Sequence, residues 1–142
     1  ALLHDIGKIG IEDNILNKKC ELTKEEKEKI QLHPQNGVII LQNVSMDKEI
    51  LKMIYQHHER YDGKGYPETA EKESVLIESF IISVADAYDA LTSNRPYRDG
   101  MSPQEAREEI LKEKGVQFHP EVVDAFLQAK DKILEIYRQE KE

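Results

Sequence analysis

One cysteine, Cys20, among 142 residues excludes an intrachain disulfide and, by count, a cysteine-based zinc site. No stretch approaches the roughly 18 uninterrupted apolar residues of a membrane span, and nothing at the N-terminus resembles a secretory signal. Basic residues are outnumbered, 20 Lys and Arg against 28 Asp and Glu, and the net charge of −8 comes with neither a basic stripe nor a basic amphipathic helix. A nucleic acid polymer and direct contact with an anionic membrane are therefore not expected partners, and a reducing, cytoplasmic setting is the expected location. Runs that alternate like a strand are missing too. The composition, 39% apolar and 34% charged, fits one globular domain over residues 1–142 of the all-α class.

Between Glu73 and Asn94 there is no Lys, Arg or His. This segment is also the most apolar, with Phe80 to Ala85 hydrophobic nearly all round, so Val75 to Leu91 is predicted as a helix through the centre of a bundle. It carries Asp86 and Asp89 with no cation one turn away. An unpaired buried carboxylate is unfavourable, and a metal ion is one remedy.

Punctuation marks the other helices. Thr23-Lys24-Glu25-Glu26 is a capping box opening a helix toward Leu32, and Pro34 opens the next, reaching about Asn43, so His33 falls at a junction. Asp47 begins a helix whose Ile50, Leu51, Ile54 and Tyr55 form a stripe that His57 and His58 continue. Tyr61 to Ser74 reads as a loop. Ser102-Pro103-Gln104-Glu105 is a second capping box, and Pro120 starts a last helix with Val123, Phe126, Leu127, Leu134 and Tyr137 inward. Ala1 to Asp5 reads as the end of a helix without its beginning.

Four of the five histidines fall where geometry points inward or to a junction. With the carboxylates they offer imidazole and oxygen donors suited to zinc, iron or manganese: His4, Asp5, His33, His57, His58 and Asp86. Neighbours such as His4-Asp5 and His57-His58 point about 100° apart on a helix, which suits two adjacent ions sharing a carboxylate. Each pair taken alone is equally an ordinary surface dipeptide or a hydrogen-bonded core histidine. Asp62-Gly63-Lys64-Gly65-Tyr66-Pro67 taken alone is a tight turn, but so close to His58 its glycines would admit a phosphate to backbone amides, with Tyr66 offering a ring. Arg95 and Arg98 present forked donors for phosphate or guanine, or simply a cationic helix end. Lys8 is either a C-terminal cap or a contact to a phosphoryl group. His119, before Pro120, is expected to cap a helix, and Cys20 lacks a neighbouring histidine that would activate it.

Together, His4-Asp5-Ile6-Gly7-Lys8, His33-Pro34, His57-His58-Glu59 with Asp62 to Pro67, and Ala85-Asp86-Ala87-Tyr88-Asp89-Ala90-Leu91-Thr92-Ser93 resemble the HD-GYP domain, the branch of the HD superfamily that degrades cyclic di-GMP. The likeness runs from Leu3 to about Phe126. It implies a helical bundle of the HD/HD-GYP type with a multinuclear metal site between helices. It implies ligation of two or three divalent ions, iron or manganese, by His4, Asp5, His33, His57, His58 and Asp86, with Asp5 bridging. Asp5 and Lys8 would be catalytic, Lys8 lying against the scissile phosphate. Gly65, Tyr66, Arg95 and Arg98 would bind substrate, with Asp89 supporting the ring of ligands.

The implied reaction is metal-assisted hydrolysis of cyclic di-GMP to linear pGpG or GMP in bacterial second-messenger signalling. Sensor or receiver domains, diguanylate cyclase (GGDEF) domains and a second copy of the chain are the partners such domains keep. Family members carry a further His and Glu ligand upstream, in N-terminal helices that this chain is expected to lack. Thr69 and Lys72 stand where the family usually has glycines, and Phe80 where it usually has Arg. Two other readings fit the residues: a binding module that does not turn over, and an HD-superfamily phosphohydrolase acting on another nucleotide.

Overall fold

A computed structural model describes residues 1–68, 74–94 and 99–139, with side chains to Ile136 at the C-terminal end. Every regular element among them is helical. A short 3-10 helix, Ile6–Gly10, is followed by α1 (Asp13–Leu16), α2 (Lys24–Gln31), α3 (His33–Leu41) and α4 (Lys48–Gln56). After the loop come α5 (Ile77–Thr92), α6 (Pro103–Lys112), α7 (Pro120–Gln128) and α8 (Lys130–Gln139).

The helix starts follow local chemistry. At α2, Glu26 N donates to Thr23 Oγ1 at 3.2 Å and Thr23 N to Glu26 Oε2 at 2.7 Å, so both halves of the capping box form. Ser102 and Glu105 repeat the arrangement at α6, and Asp47 Oδ1 accepts from Glu49 N at 2.7 Å at α4. Each such cap contributes about 1 kcal/mol by satisfying otherwise orphaned amides. Pro34, Pro103 and Pro120 occupy first turns, where a missing N–H is harmless.

Two packing regions result. α5, α6 and α7 close on Phe80, Val84, Tyr88, Ala106, Ile110, Phe118, Val122 and Val123. The 3-10 helix packs on α3, and α3 on α4. There Gly7 is required by close approach: a Cβ on it would collide with the His33 carbonyl and the Gly37 amide. This contact of two glycines sets the His4-Asp5 turn against the start of α3.

Several expectations change. Residues 1–5 form turns leading into the 3-10 helix rather than the end of an α-helix. The stripe of α4 is rotated: Ile50 is 44% exposed, while Gln56 is buried. Gln56 turns inward because its amide nitrogen donates to the Ser74 carbonyl at 3.3 Å and its oxygen accepts from Leu76 N at 3.1 Å, fixing the entry to α5. α5 is not enclosed all round, since Ile81 is 52% exposed and Ala85 is exposed. The predicted last helix is two, α7 and α8, divided at Ala129. Val123 is buried, Phe126, Leu127 and Leu134 are half-buried, and the Tyr137 side chain lies outside the described residues.

Candidate metal centre

Histidines from three elements converge between the 3-10 helix, α3 and α4. His33 begins α3 and His57 caps the C-terminus of α4, and both are fully buried. Their Nδ1 atoms lie 2.7 Å from the carbonyls of Ile30 and Ile54 respectively. A carbonyl only accepts, so each Nδ1 must carry the proton, and in the neutral ring each Nε2 is then a lone pair. Those two nitrogens face each other at 3.2 Å, and Asp5 Oδ1 lies 3.2 Å from the His33 one. Three acceptors in mutual contact call for a cation among them.

The remaining donors close around this point. Asp5, His33, His57 and His58 present one ligand atom each within 4.8 Å of one another, and so do His4, Asp5 and Asp86. Asp5 belongs to both groups. His4 directs Nδ1 to the Ala1 carbonyl at 2.5 Å, which turns Nε2 toward Asp86 Oδ1 at 3.5 Å and Asp5 Oδ2 at 3.6 Å. Both His4 Nε2 and Asp5 Oδ1 are buried atoms without a hydrogen-bond partner among the described residues. Such orphans are costly in a finished interior. Imidazole nitrogens and carboxylate oxygens are the donor set of borderline divalent ions, and nitrogens about 2.1 Å from one such ion fall within the spacing seen here. The residues therefore fit a pair of adjacent divalent-cation sites sharing Asp5.

The electrostatics of the two histidines at the end of α4 agrees with that fit. Burial holds the His57 imidazole down at about 4 and His58 at about 3, so both are neutral and able to ligate near neutral pH. Burial alone would raise the Asp5 carboxyl; a donating His33 ring would lower it, and with His33 Nε2 a lone pair the Lys8 ammonium beside it is what favours the charged carboxylate. Lys8 Nζ donates to Asp5 Oδ2 at 2.6 Å. The Asp86 carboxylate raises His4 and is itself lowered by it.

The loop after α4 forms one wall. Tyr66 stacks on His58 with ring centroids 4.7 Å apart, and burial pushes its hydroxyl up to about 12. Gly65 has a packing reason independent of any ligand, because a Cβ there would strike the His58 carbonyl and the backbone of Glu59 and Arg60. The fold thus brings Gly65 and Tyr66 to the cluster. Asp89 differs: it lies on the exposed surface of α5, accepts from Ser93 Oγ at 3.4 Å and joins neither donor group. Asp86 is only half-buried, so the two acidic residues of α5 are not the buried pair that the sequence suggests. Arg95 and Arg98 lie outside the described residues. His119 occupies the N-cap of α7 but makes no side-chain cap, its ring packing instead against Tyr61 and Phe80 at 5.1 and 5.2 Å.

Sequence reasoning missed a clamp that holds the loop. Arg60 Nε and Nη2 donate to the two oxygens of Asp62, each at 3.0 Å, and Nη1 donates to Gln117 Oε1 at 3.1 Å. Tyr61 N and Asp62 N donate to the Gln117 and Val116 carbonyls. An Arg two residues before an Asp was the only local signal, and nothing in sequence pointed to Gln117.

A helical bundle here gathers histidines and aspartates from a His-Asp turn, two helix ends and a central helix, the arrangement of a metal-binding HD domain. The chain belongs to the HD domain family, whose model matches residues 1–122, and that membership implies binding of divalent metal. It is similar to a cyclic di-GMP phosphodiesterase of Thermotoga maritima, 42% identical over all of this chain and 39% of that protein. It is also similar to the cyclic di-GMP phosphodiesterase response regulator RpfG of Xanthomonas campestris, 38% identical over 96% of this chain and 36% of that protein. A third relative is the 3'3'-cGAMP-specific phosphodiesterase 2 of Vibrio cholerae, 36% identical over 94% of this chain and 26% of that protein. The chain thus spans well under half the length of these relatives. No described helix is long and apolar enough to cross a membrane.

Proposed function

We propose that this chain is the metal-binding part of a phosphodiesterase that hydrolyses cyclic di-GMP to linear pGpG or GMP. The observation that carries the reading is the pair of donor groups sharing Asp5. His4, Asp5, His33, His57, His58 and Asp86 would hold two or three divalent ions, iron or manganese, with Asp5 as the bridge. Bound there, the ions supply Lewis-acid polarisation of the phosphoryl group and a nucleophile at neutral pH.

The chain's own residues do the rest. The Ile30 and Ile54 carbonyls fix the tautomers of His33 and His57, so that Nε2 faces the reacting region without reorganisation. Lys8, partly exposed beside Asp5, has donors left for a phosphoryl oxygen and offsets charge developing there. Tyr66 braces His58 and excludes water from one side while offering its face to a base. Asp89, Arg95 and Arg98 are assigned to outer contacts with the ligand ring and the substrate.

Recognition of a cyclic dinucleotide of mixed base composition is a second reading, favoured by the likeness to a relative specific for 3'3'-cGAMP. One experiment tests both. The chain is purified, its metal measured by elemental analysis, and hydrolysis of cyclic di-GMP and 3'3'-cGAMP followed with manganese or iron. About two ions per chain and turnover of cyclic di-GMP are expected. Faster turnover of 3'3'-cGAMP would favour the second reading, and absence of both metal and turnover would sink the enzyme reading in favour of a binding module.

A further inference from the structure

A cavity of about 750 Å³ opens beside the metal centre, walled by α1, the turn over residues 17–22 and α2. Its size falls within the range of small-ligand sites, about 300–1,000 Å³. Four lysines, Lys8, Lys18, Lys19 and Lys27, line it against one carboxylate, Glu21. That is a cationic concentration on a chain whose net charge is −8. Lys8 is matched by Asp5 and Lys18 by Glu26, whose oxygen lies 2.5 Å away. Lys19 and Lys27 are exposed and have no ion pair among the described residues. Beneath them the floor is apolar, formed by Ile15, Leu16, Leu22 and Ile30.

We infer that this cavity is a second anion subsite, holding the phosphate and attached nucleoside of the substrate that are not under attack at the metal centre. The inference rests on the reading of the substrate as a cyclic dinucleotide. Such a ligand carries two phosphodiesters, and only one can react at a time. The other keeps its charge throughout, so cations that bind it lower KM rather than raise kcat. Lys8 joins the two regions, because it lines the cavity and also reaches Asp5. Lys19 and Lys27 have their charges available to the second phosphate, and the apolar floor suits the flat face of a base.

Cys20, exposed in the same wall and the chain's single cysteine, supplies a reporter that needs no turnover. The test compares wild type, the double variant Lys19→Glu with Lys27→Glu, and Lys132→Glu on α8, a charge reversal far along the chain. For each, kcat and KM for cyclic di-GMP are measured, together with the rate of Cys20 alkylation by N-ethylmaleimide with and without cyclic di-GMP. The expected result is a rise in KM of about tenfold with kcat within about twofold in the double variant, and no change in Lys132→Glu. Cyclic di-GMP should slow alkylation in wild type and not in the double variant. Unmoved KM together with equal alkylation rates with and without ligand overturns the subsite, as does an equal rise in KM in Lys132→Glu. Protection of Cys20 without any hydrolysis would keep the subsite and overturn the enzyme reading. Hydrolysis without protection and without a KM effect would do the reverse.

Discussion

The two packing regions of this molecule are closed by different chemistry. Around α5, α6 and α7 the interior is Phe80, Val84, Ile110, Val122 and Val123, whose burial is favourable without any further partner. Between the 3-10 helix, α3 and α4 the fully buried side chains include His33 and His57. An imidazole interior gains little from leaving water and must satisfy its nitrogens. Backbone carbonyls take one nitrogen of His33 and of His57, while the other two are left facing each other at 3.2 Å. The apolar region therefore needs no ion to hold it together, whereas the histidine region is organised around a cation.

The largest expected effect breaks the histidine region at the residue its two donor groups share. Asp5→Ala should lower phosphodiesterase activity by about a thousandfold, the several kcal/mol that a Lewis acid contributes to the transition state. Elemental analysis of the folded variant should show loss of metal. Retention of full metal content would remove Asp5 from the bridging role. Next in size, Ile110→Ala should destabilise the chain by about 2–5 kcal/mol, as for other fully buried aliphatic truncations, read from denaturant midpoints. Its folded fraction should bind metal as wild type does, and a parallel loss of metal affinity would show that the regions are not separable. A chelator should act the other way. Removing metal present at a hundred times its Kd withdraws about 2.7 kcal/mol of linkage stabilisation. Amide exchange should then quicken in α3 and the end of α4 before α5 and α7. Uniform quickening would erase the distinction.

What the sequence made legible follows the same division. Helix starts could be read because the capping residues act locally: Thr23 with Glu26, Ser102 with Glu105, and Asp47 each do what their side chains do in any helix. The donors His4, Asp5, His33, His57, His58 and Asp86 could be read because their residue types and order are rare together, and the fold does bring them to one place. Tertiary choices could not. Gln56 faces inward because Ser74 and Leu76, some twenty positions on, need its amide, and no periodicity in α4 announces that. Ile81 and Ala85 are apolar yet outward, because hydrophobicity marks a readiness to be buried and not the partner that does it. Ala129 divides α7 from α8 with neither glycine nor proline there to signal it. His119 packs against rings rather than capping, a choice made by Tyr61 and Phe80.

The smallest expected effect sharpens the comparison where the two regions are tied together. Arg60 grips Asp62 with two donors and Gln117 with a third, linking the loop beside His58 to the turn before α7. The guanidinium holds the Asp62 carboxyl down at about 2, against about 3.9 for an ordinary aspartate. Because the folded value lies below the unfolded one, this link contributes stability that is fully present above about pH 4 and is lost as pH falls toward 2. Arg60→Gln should return Asp62 toward the ordinary range, leaving most of that acid-dependent contribution absent at every pH. The carboxyl carbon shift of Asp62, followed by NMR across pH 1.5–6, measures it directly on the residue concerned. An Asp62 that titrates near 4 in wild type would mean that the clamp does not hold in solution. The loop that carries Tyr66 would then depend on the histidine region alone for its position.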